Sequence, residues 1–315
     1  MPPGLSQLTS LRSLSCFVAG NKTGSCSITE LEDLKLHGEM EIRFSENYRN
    51  YSCGGRKILK NKDFYELSLF FNKSDTYDKS MLDDLCPNTS LKKLEISDYG
   101  SRQFPTWFME SQLPNLVELK LRQMTNLEEW SDVDELFPLL KRLEICDCPK
   151  LKNMPRLPRI ELLKLHDCSE SLLSGVGRMT SLSHLSLIGL NGMTSLPTGC
   201  LRNLTSLMEL EIIRCDELQF LPWDEMQLLT MVQSLTIEKC DNLASFPLEA
   251  VGRLSALRYL YFKNHNSNIL QLEILVQILN SLHEFHIQIC GKIVNLCGQL
   301  QHVHMLRQLW ICDSC

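Results

Sequence analysis

A short apolar pattern recurs along nearly the whole 315-residue chain and constrains its fold more than any other feature. The pattern is L-x-x-L-x-L-x-x-(N/C), and its clearest copies begin at Leu140, Leu207 and Val232. Imperfect copies begin at Leu11, His37, Phe64, Leu91, Leu116, Ile160, Leu182, Leu257, Leu282 and Leu306. Successive starts lie 20 to 27 residues apart, which is typical of one supersecondary unit repeated along a chain. The sequence therefore predicts about 13 repeats.

The pattern also predicts the shape of each repeat. Successive side chains of a strand point to opposite faces, so the fourth and sixth positions face a core while the third, fifth and seventh face outward. One coil of this size cannot bury its apolar residues, but stacked coils share a core and pair their strands. This is a leucine-rich repeat. We predict an α/β leucine-rich-repeat solenoid over residues 1–315, a horseshoe with a concave parallel β-sheet and a convex face of loops and short helices.

Composition narrows the possible partners. Hydrophobic residues make up 43% of the chain and charged residues 22%, which is typical of a folded protein. The formal net charge of -6 offers no basic surface for a phosphate backbone, so we do not expect nucleic acid as a partner. The expected partner is a protein.

Longer motifs resemble one family. The chain opens with Gly4-Leu5-x-x-Leu8-Thr9-x-Leu11-x-x-Leu14-x-x-Phe17-Val18-x-Gly20, followed by Leu31-x-x-Leu34 and Leu36-x-Gly38-x-Met40-x-Ile42. Later phrases are Leu143-x-Ile145-x-Asp147-Cys148-Pro149-x-Leu151 and Asn203-Leu204-Thr205-Ser206-Leu207. Together they resemble the leucine-rich-repeat domain of plant coiled-coil nucleotide-binding leucine-rich-repeat (NBS-LRR) disease resistance proteins. The resemblance implies a cytoplasmic immune receptor whose repeats sense pathogen effectors or altered host proteins.

The sequence also departs from that family. It has no G-x-x-x-x-G-K-[ST] loop, since Gly291-Lys292 is followed by Ile293, so we expect no bound nucleotide and no cofactor. The repeats begin and stop without a polar capping coil, which predicts a fragment or truncated paralogue, uncapped at both ends. Met1-Pro2-Pro3-Gly4 opens no signal peptide, and no apolar run reaches the length of a membrane span. These features favour a cytoplasmic chain.

No Ser/His/Asp, Cys/His or paired-carboxylate arrangement is tied together by local spacing, so we predict no enzymatic activity. Five cysteines occupy the ninth template position, where we expect buried, reduced thiols: Cys148, Cys168, Cys215, Cys240 and Cys290. An alternative reads Cys312-x-x-Cys315 as half of a zinc site, with Cys297, His302 and His304 upstream. The upstream residues lack paired ligand spacing, so we predict no metal.

Outward strand positions differ between the two halves of the chain. In the first half, opposite charges face each other at the third position in Lys93, Glu118 and Arg142, and at the fifth in Glu95, Lys120, Glu144 and Lys164. In the second half the outward residues are mostly uncharged and partly aromatic: Ile188, Ile213, Tyr259, Tyr261, Lys263, His286 and Trp310. We expect Tyr259, Tyr261 and His286 to line a protein-recognition surface, with Glu211, Glu238 and Lys263 adding polar selectivity. Alternatively, a further coil or a folded-back loop covers Trp310.

Two other functions remain open. A substrate adaptor of a ubiquitin ligase would need a helical adaptor-binding module, and an extracellular receptor ectodomain would need a secretory signal. Five N-x-[ST] sequons would fit an ectodomain, but we interpret them as unmodified loop asparagines: Asn21, Asn50, Asn72, Asn88 and Asn203. The acidic residues 128–135 fit either a solvated loop or a docking site for a basic partner.

Overall fold

A computed structural model of the chain describes the backbone in two compact units, residues 1–160 and residues 161–315. The residues that it describes are 1–20, 24–45, 48, 54–72, 79–110, 113–130, 136–190, 192–244, 251–263, 281–289 and 304–313.

The first unit is a stack of parallel strands, each hydrogen-bonded to the next one along the chain. Its strands are β1 Cys16–Ala19, β2 His37–Phe44, β3 Asp63–Phe70, β4 Lys93–Ser97, β5 Glu118–Arg122 and β6 Arg142–Cys146.

The second unit repeats this arrangement, again with parallel pairing between consecutive strands. Its strands are β7 Leu162–His166, β8 His184–Ile188, β9 Glu209–Ile213, β10 Ser234–Glu238, β11 Tyr259–Lys263, β12 Glu284–Ile289 and β13 Gln308–Asp313.

Between the strands the chain returns through loops and short helices. The α-helices are α1 Lys79–Asp84, α2 Thr106–Met109 and α3 Trp223–Met226, and 3-10 turns cover Leu5–Gln7, Ile28–Leu31 and Glu170–Arg178. The predicted α/β leucine-rich-repeat solenoid with a parallel sheet is confirmed.

The core lies where the template predicts it. At the fourth and sixth positions, Leu143 and Ile145 in β6 and Ile212 in β9 are fully buried, and Leu210 is 1% exposed. Each strand thus sends alternate side chains into a core shared with its neighbours, while the intervening positions face outward. The apolar residues after the strands complete the core, as Leu151 and Leu218 are also fully buried; Phe246 lies outside the described residues.

The first repeat departs from the predicted register. The template copy that begins at Leu11 places Leu14 and Cys16 in the core, but the structure buries Phe17 and Ala19 instead. Phe17 is the register partner of the core residue Ile42, so the first repeat is shifted by one residue. That prediction was wrong, because pairing with β2 selects the larger phenylalanine for the core.

The eighth position of the template takes a left-handed backbone conformation in successive coils. The non-glycine residues with φ between 50° and 61° are Asp98, Gln123, Asp147, Asp167, Arg214 and Lys239. This conformation costs roughly 1 to 2 kcal/mol for a residue with a Cβ. It lets the N–H groups of Arg214 and Lys239 donate to the carbonyls of Glu238 and Lys263, at 2.9 and 2.8 Å. The hydrogen-bonded ladder therefore continues one residue past each strand.

Two buried charged residues tie one coil to the previous one. Glu225 in α3 is 5% exposed, and its carboxylate accepts hydrogen bonds from the N–H groups of Gly199 and Leu201 at 2.5 and 3.0 Å. Lys62 is 1% exposed, and its ammonium donates to the carbonyls of Glu32 and Leu34 at 3.0 and 2.8 Å. Burial lowers the pKa of Lys62. Such charge-assisted bonds replace lost hydration and fix the loops.

Candidate functional site

The outward face of β11, β12 and β13 carries a row of aromatic rings. The register aligns Tyr261, His286 and Trp310 at the centre of the three strands. The rings of Tyr261 and His286 lie 4.8 Å apart, and those of His286 and Trp310 lie 6.2 Å apart. Tyr259 lies beside this row with its ring edge-on to His283, at 6.1 Å. Trp310 is 42% exposed, so the row presents aromatic surface rather than core.

Polar groups hold the aromatic row in place. The Tyr261 hydroxyl donates to the carboxylate of Glu284 at 2.7 Å. Burial, and then this hydrogen bond, raise the pKa of Tyr261 to about 12. The Lys263 ammonium lies 5.6 Å from the centre of the Trp310 ring, within the range of a cation–π interaction. These contacts orient the rings of Tyr261 and Trp310.

The other predicted residues lie on the same outward face of the second unit. Ile188, Ile213, Glu238 and Lys263 are aligned at the seventh position of β8 to β11, and each is partly exposed. Glu211 occupies the fifth position of β9, also partly exposed. The strand register therefore brings all nine candidate residues onto one face. Their role in binding stays a prediction.

The first unit carries a face of paired charges. The register aligns Glu95, Lys120 and Glu144 as predicted. The ion pairs of these two glutamates run diagonally, however, because Arg122 lies between the carboxylates of Glu95 at 3.1 Å and Glu144 at 2.8 Å. The predicted charge pairs do not include Arg122. One sequence signal identifies it. Arg122 is a basic residue at the seventh position, and both neighbouring strands carry a glutamate at the fifth position.

Lys120 takes its partner from its own strand, with Glu118 at 3.0 Å. Lys93 pairs with Glu66 across strands at 2.9 Å. These pairs leave the outward face of the first unit satisfied by its own charges.

One cluster in the second unit has the composition of a catalytic triad. Ser183 Oγ lies 2.7 Å from Nδ1 of His184, whose Nε2 lies 3.5 Å from the Glu209 carboxylate. The Ser183 hydroxyl has a single proton, and the carbonyl of Glu161 at 2.9 Å competes with Nδ1 of His184 for it. This competition disfavours activation of Ser183 by the imidazole.

The ninth-position cysteines lie in the core as reduced thiols, confirming that interpretation for the described ones: Cys148, Cys168, Cys215 and Cys240. Each thiol donates to the carbonyl two residues before it, at 3.2 to 3.6 Å. Cys290 lies outside the described residues, as do the side chains of Cys312 and Cys315 in the alternative zinc motif. Within the described ranges, no group of three His, Cys, Asp or Glu side chains is placed to hold a metal ion.

Two loop predictions have mixed outcomes. In the acidic stretch, Trp130 is 4% exposed and packs against Phe104 and Phe137 at ring distances of 5.1 and 6.3 Å, so that residue is core and not solvated loop. Residues 131–135 lie outside the described part. Among the sequons, the Asn203 amide donates to the Gly177 carbonyl of the preceding coil at 3.2 Å, whereas residues 21 and 50 are not described.

Comparison with known proteins identifies the repeats. Residues 28–148 match the family model described as R13L1/DRL21 LRRs. Putative disease resistance protein RGA1 of Solanum bulbocastanum is 33% identical over 147 residues, covering 46% of this chain and 15% of that protein. Disease resistance protein RGA2 of the same species is 26% identical over 242 residues, covering 62% of this chain and 25% of that protein. The repeats are therefore similar to the leucine-rich-repeat region of plant NBS-LRR disease resistance proteins.

The predicted resemblance is thereby confirmed. The chain spans 15 to 25% of the length of the three Solanum bulbocastanum relatives that it matches. In the described ranges, none of its helices has the length and apolarity that a membrane crossing requires.

Solved structures agree on the fold of the repeat region. A chain of the Toll–Spätzle complex of Drosophila aligns with a TM-score of 0.63 at 20% identity, covering 98% of this chain and 42% of that one. An internalin, InlF, from Listeria monocytogenes aligns with a TM-score of 0.57 at 14% identity, covering 98% and 84%. At such identities the likeness shows the leucine-rich-repeat fold alone.

Proposed function

We propose that this chain acts in plant defence as the protein-recognition solenoid of an intracellular immune receptor, sensing pathogen effectors or modified host proteins. The observation that carries the proposal is the aromatic row of Tyr261, His286 and Trp310 on the outward face of the sheet. Aromatic side chains dominate the binding energy of protein interfaces, because they bury large areas at a small entropic cost. The relatives, which are disease resistance proteins, supply the biological setting.

The fixed arrangement of the row supports this role. Tyr261 is held by Glu284, and Trp310 lies under the ammonium of Lys263. A partner would therefore meet rings that have already lost much of their rotamer freedom, which reduces the entropic cost of association. Glu211 and Glu238 on the neighbouring strands would then discriminate among partners by charge.

A pull-down tests the proposal. The full chain, purified under reducing conditions, is presented with a separately expressed coiled-coil and nucleotide-binding module of a related receptor. We expect specific binding that an added effector releases. A folded, monodisperse chain that ignores the module and every effector tested would contradict immune sensing and favour a free-standing scaffold for an unrelated protein.

The variant Tyr259→Ala plus Tyr261→Ala tests the surface itself. Two anchor residues are together worth about 4 kcal/mol, so the dissociation constant should rise by about a thousandfold. The matched control is Tyr65→Ala plus Phe220→Ala, which removes two rings of 44% and 59% exposure outside this surface. Equal affinities of the two double variants, with urea midpoints showing both folded, would sink the assignment.

A further inference from the structure

A second feature of the outward face lies on β7, β8 and β9. A depression with a cavity volume of about 160 Å³ opens there, and we name it the Ser186 pocket. The register places Ser186 directly between Lys164 and Glu211, one strand spacing from each. His184 and Glu209 line the same depression from the adjacent row. The small serine between longer side chains leaves the space open.

The buried hydroxyl of Ser186 indicates that the pocket binds a ligand. Ser186 is 5% exposed, and its Oγ has no hydrogen-bond partner among the described residues. Burying a polar group without a hydrogen-bond partner costs free energy and is rare in native proteins. The buried hydroxyl of Ser186 therefore needs an explanation. A ligand that donates a hydrogen bond at the pocket floor would satisfy it.

The charges around the pocket are also unsatisfied. Within the described part of the chain, Glu211 forms neither an ion pair nor a side-chain hydrogen bond, and Lys164 forms no ion pair. The carboxylate of Glu209 has only a 3.5 Å approach to His184. Two carboxylates therefore outnumber one ammonium at this opening, and Glu211 has no ion-pair partner among the described residues.

The first unit provides an internal comparison. A similar depression over Ser68 is lined by Glu66, Glu95 and Glu118. There each carboxylate has a cationic partner within 3.1 Å, supplied respectively by Lys93, Arg122 and Lys120. The same backbone geometry thus gives a satisfied depression in one unit and an unsatisfied one in the other.

We propose that the Ser186 pocket binds an arginine side chain of a protein partner. The planar guanidinium offers five donors, enough to reach the Glu211 and Glu209 carboxylates and the Ser186 hydroxyl together. A lysine ammonium is compact and more strongly hydrated, so it suits a pocket with separated acceptors less well. The inference rests on the proposed protein-recognition function and deepens it, because it names the chemistry of one contact on the partner.

The test uses the full chain and a short probe peptide. The probe is acetyl-Gly-Gly-Arg-Gly-Gly-amide, and its control replaces arginine by citrulline, which keeps the shape but removes the charge. Amide NMR shifts report binding. We expect the arginine peptide to shift the amides of Ser186 and Glu211, and the citrulline peptide to bind about tenfold more weakly.

Two substitutions change the affinity in opposite directions. Glu211→Gln removes the main acceptor charge and should weaken arginine-peptide binding about tenfold. Lys164→Met removes a like charge and should strengthen it. Glu95→Gln, in the depression of the first unit, should leave both the affinity and the shifted amides unchanged.

Several outcomes would overturn the proposal. One is the absence of shifts at Ser186 and Glu211 at about 10 mM peptide, which would occupy even a millimolar site. Another is equal affinity for the citrulline peptide. Binding of a glutamate peptide that Lys164→Met abolishes would assign an acidic occupant, and broadening of the same amides by Mn²⁺ without any peptide effect would assign a metal site. Because this assay needs no receptor module and leaves Tyr259 and Tyr261 intact, its failure is distinguishable from failure of the proposed function.

Discussion

Replacing Glu225 by glutamine tests how the coils of the second unit are held together. The buried carboxylate accepts two backbone hydrogen bonds, from Gly199 and Leu201. Hydrogen bonds to a charged group contribute about 1.5 to 3 kcal/mol each, and a neutral one about 1 kcal/mol. Glutamine keeps one acceptor but turns an NH₂ donor toward the other N–H. Allowing for the easier burial of a neutral amide, we expect a loss of about 2 to 4 kcal/mol in the free energy of unfolding.

Three measurements report this loss. The urea midpoint should fall, and hydrogen exchange at the amides of Gly199 and Leu201 should accelerate. Cys200, between them, is 3% exposed, and burial followed by the charge of Glu225 raises the pKa of its thiol to about 12. Its labelling by a thiol reagent at neutral pH should therefore be slow in the natural chain and faster in Glu225→Gln.

Glu217→Gln is the control, because Glu217 is exposed and forms no ion pair among the described residues. It makes the same chemical change without a buried acceptor. If the two variants unfold within about 0.5 kcal/mol of each other, the usual range of a surface substitution, the tethering role of Glu225 is wrong.

Two further predictions concern the left-handed backbone conformation of Lys239 and the raised pKa of Tyr261. Lys239→Gly should raise the free energy of unfolding by about 0.5 to 1 kcal/mol and so raise the urea midpoint, because glycine relieves the left-handed conformation at φ 54°. An unchanged or lower midpoint would show that this backbone stores no such strain. Because the folded-state pKa of Tyr261 is about 12 against an ordinary 10, its contribution to stability is complete below pH 10 and is lost as the pH rises toward 12. Glu284→Gln should move the ultraviolet titration of Tyr261 to lower pH, with Tyr261→Phe identifying its signal, and an unshifted curve would rule out the hydrogen bond as a cause.

The residues of each strand that face the core are predictable from the sequence, because burial of one face requires strict alternation of apolar residues. Leu143 and Ile145 illustrate this, since the template places both in the core and both are fully buried. Alternation cannot predict which residues are buried where two neighbouring registers would both place apolar residues in the core, as around Phe17. There the pairing with β2 decides, and pairing is a property of two segments rather than one.

The outward half is predictable only in part. Alternation places Tyr261 and Trp310 on the outward face, but it does not fix which side chains meet. The contact of Lys263 with Trp310 and the hydrogen bond from Tyr261 to Glu284 depend on register between coils and on rotamers. Trp130 fails for a related reason: its acidic neighbours suggest a solvated loop, whereas an aromatic cluster formed by distant residues buries it.

The contrast between the two outward faces favours the second unit as the binding surface on energetic grounds. A partner that approached Glu95 or Glu144 would have to compete with Arg122, which already holds both carboxylates. Any new ion pair would replace an existing one, so the net gain would be small. At Glu211 no partner among the described residues has to be displaced, and at Trp310 the exposed ring area is available for burial. Contacts with the second unit should therefore contribute more to the affinity for a protein partner than contacts with the first unit, even though both units present the same strand geometry.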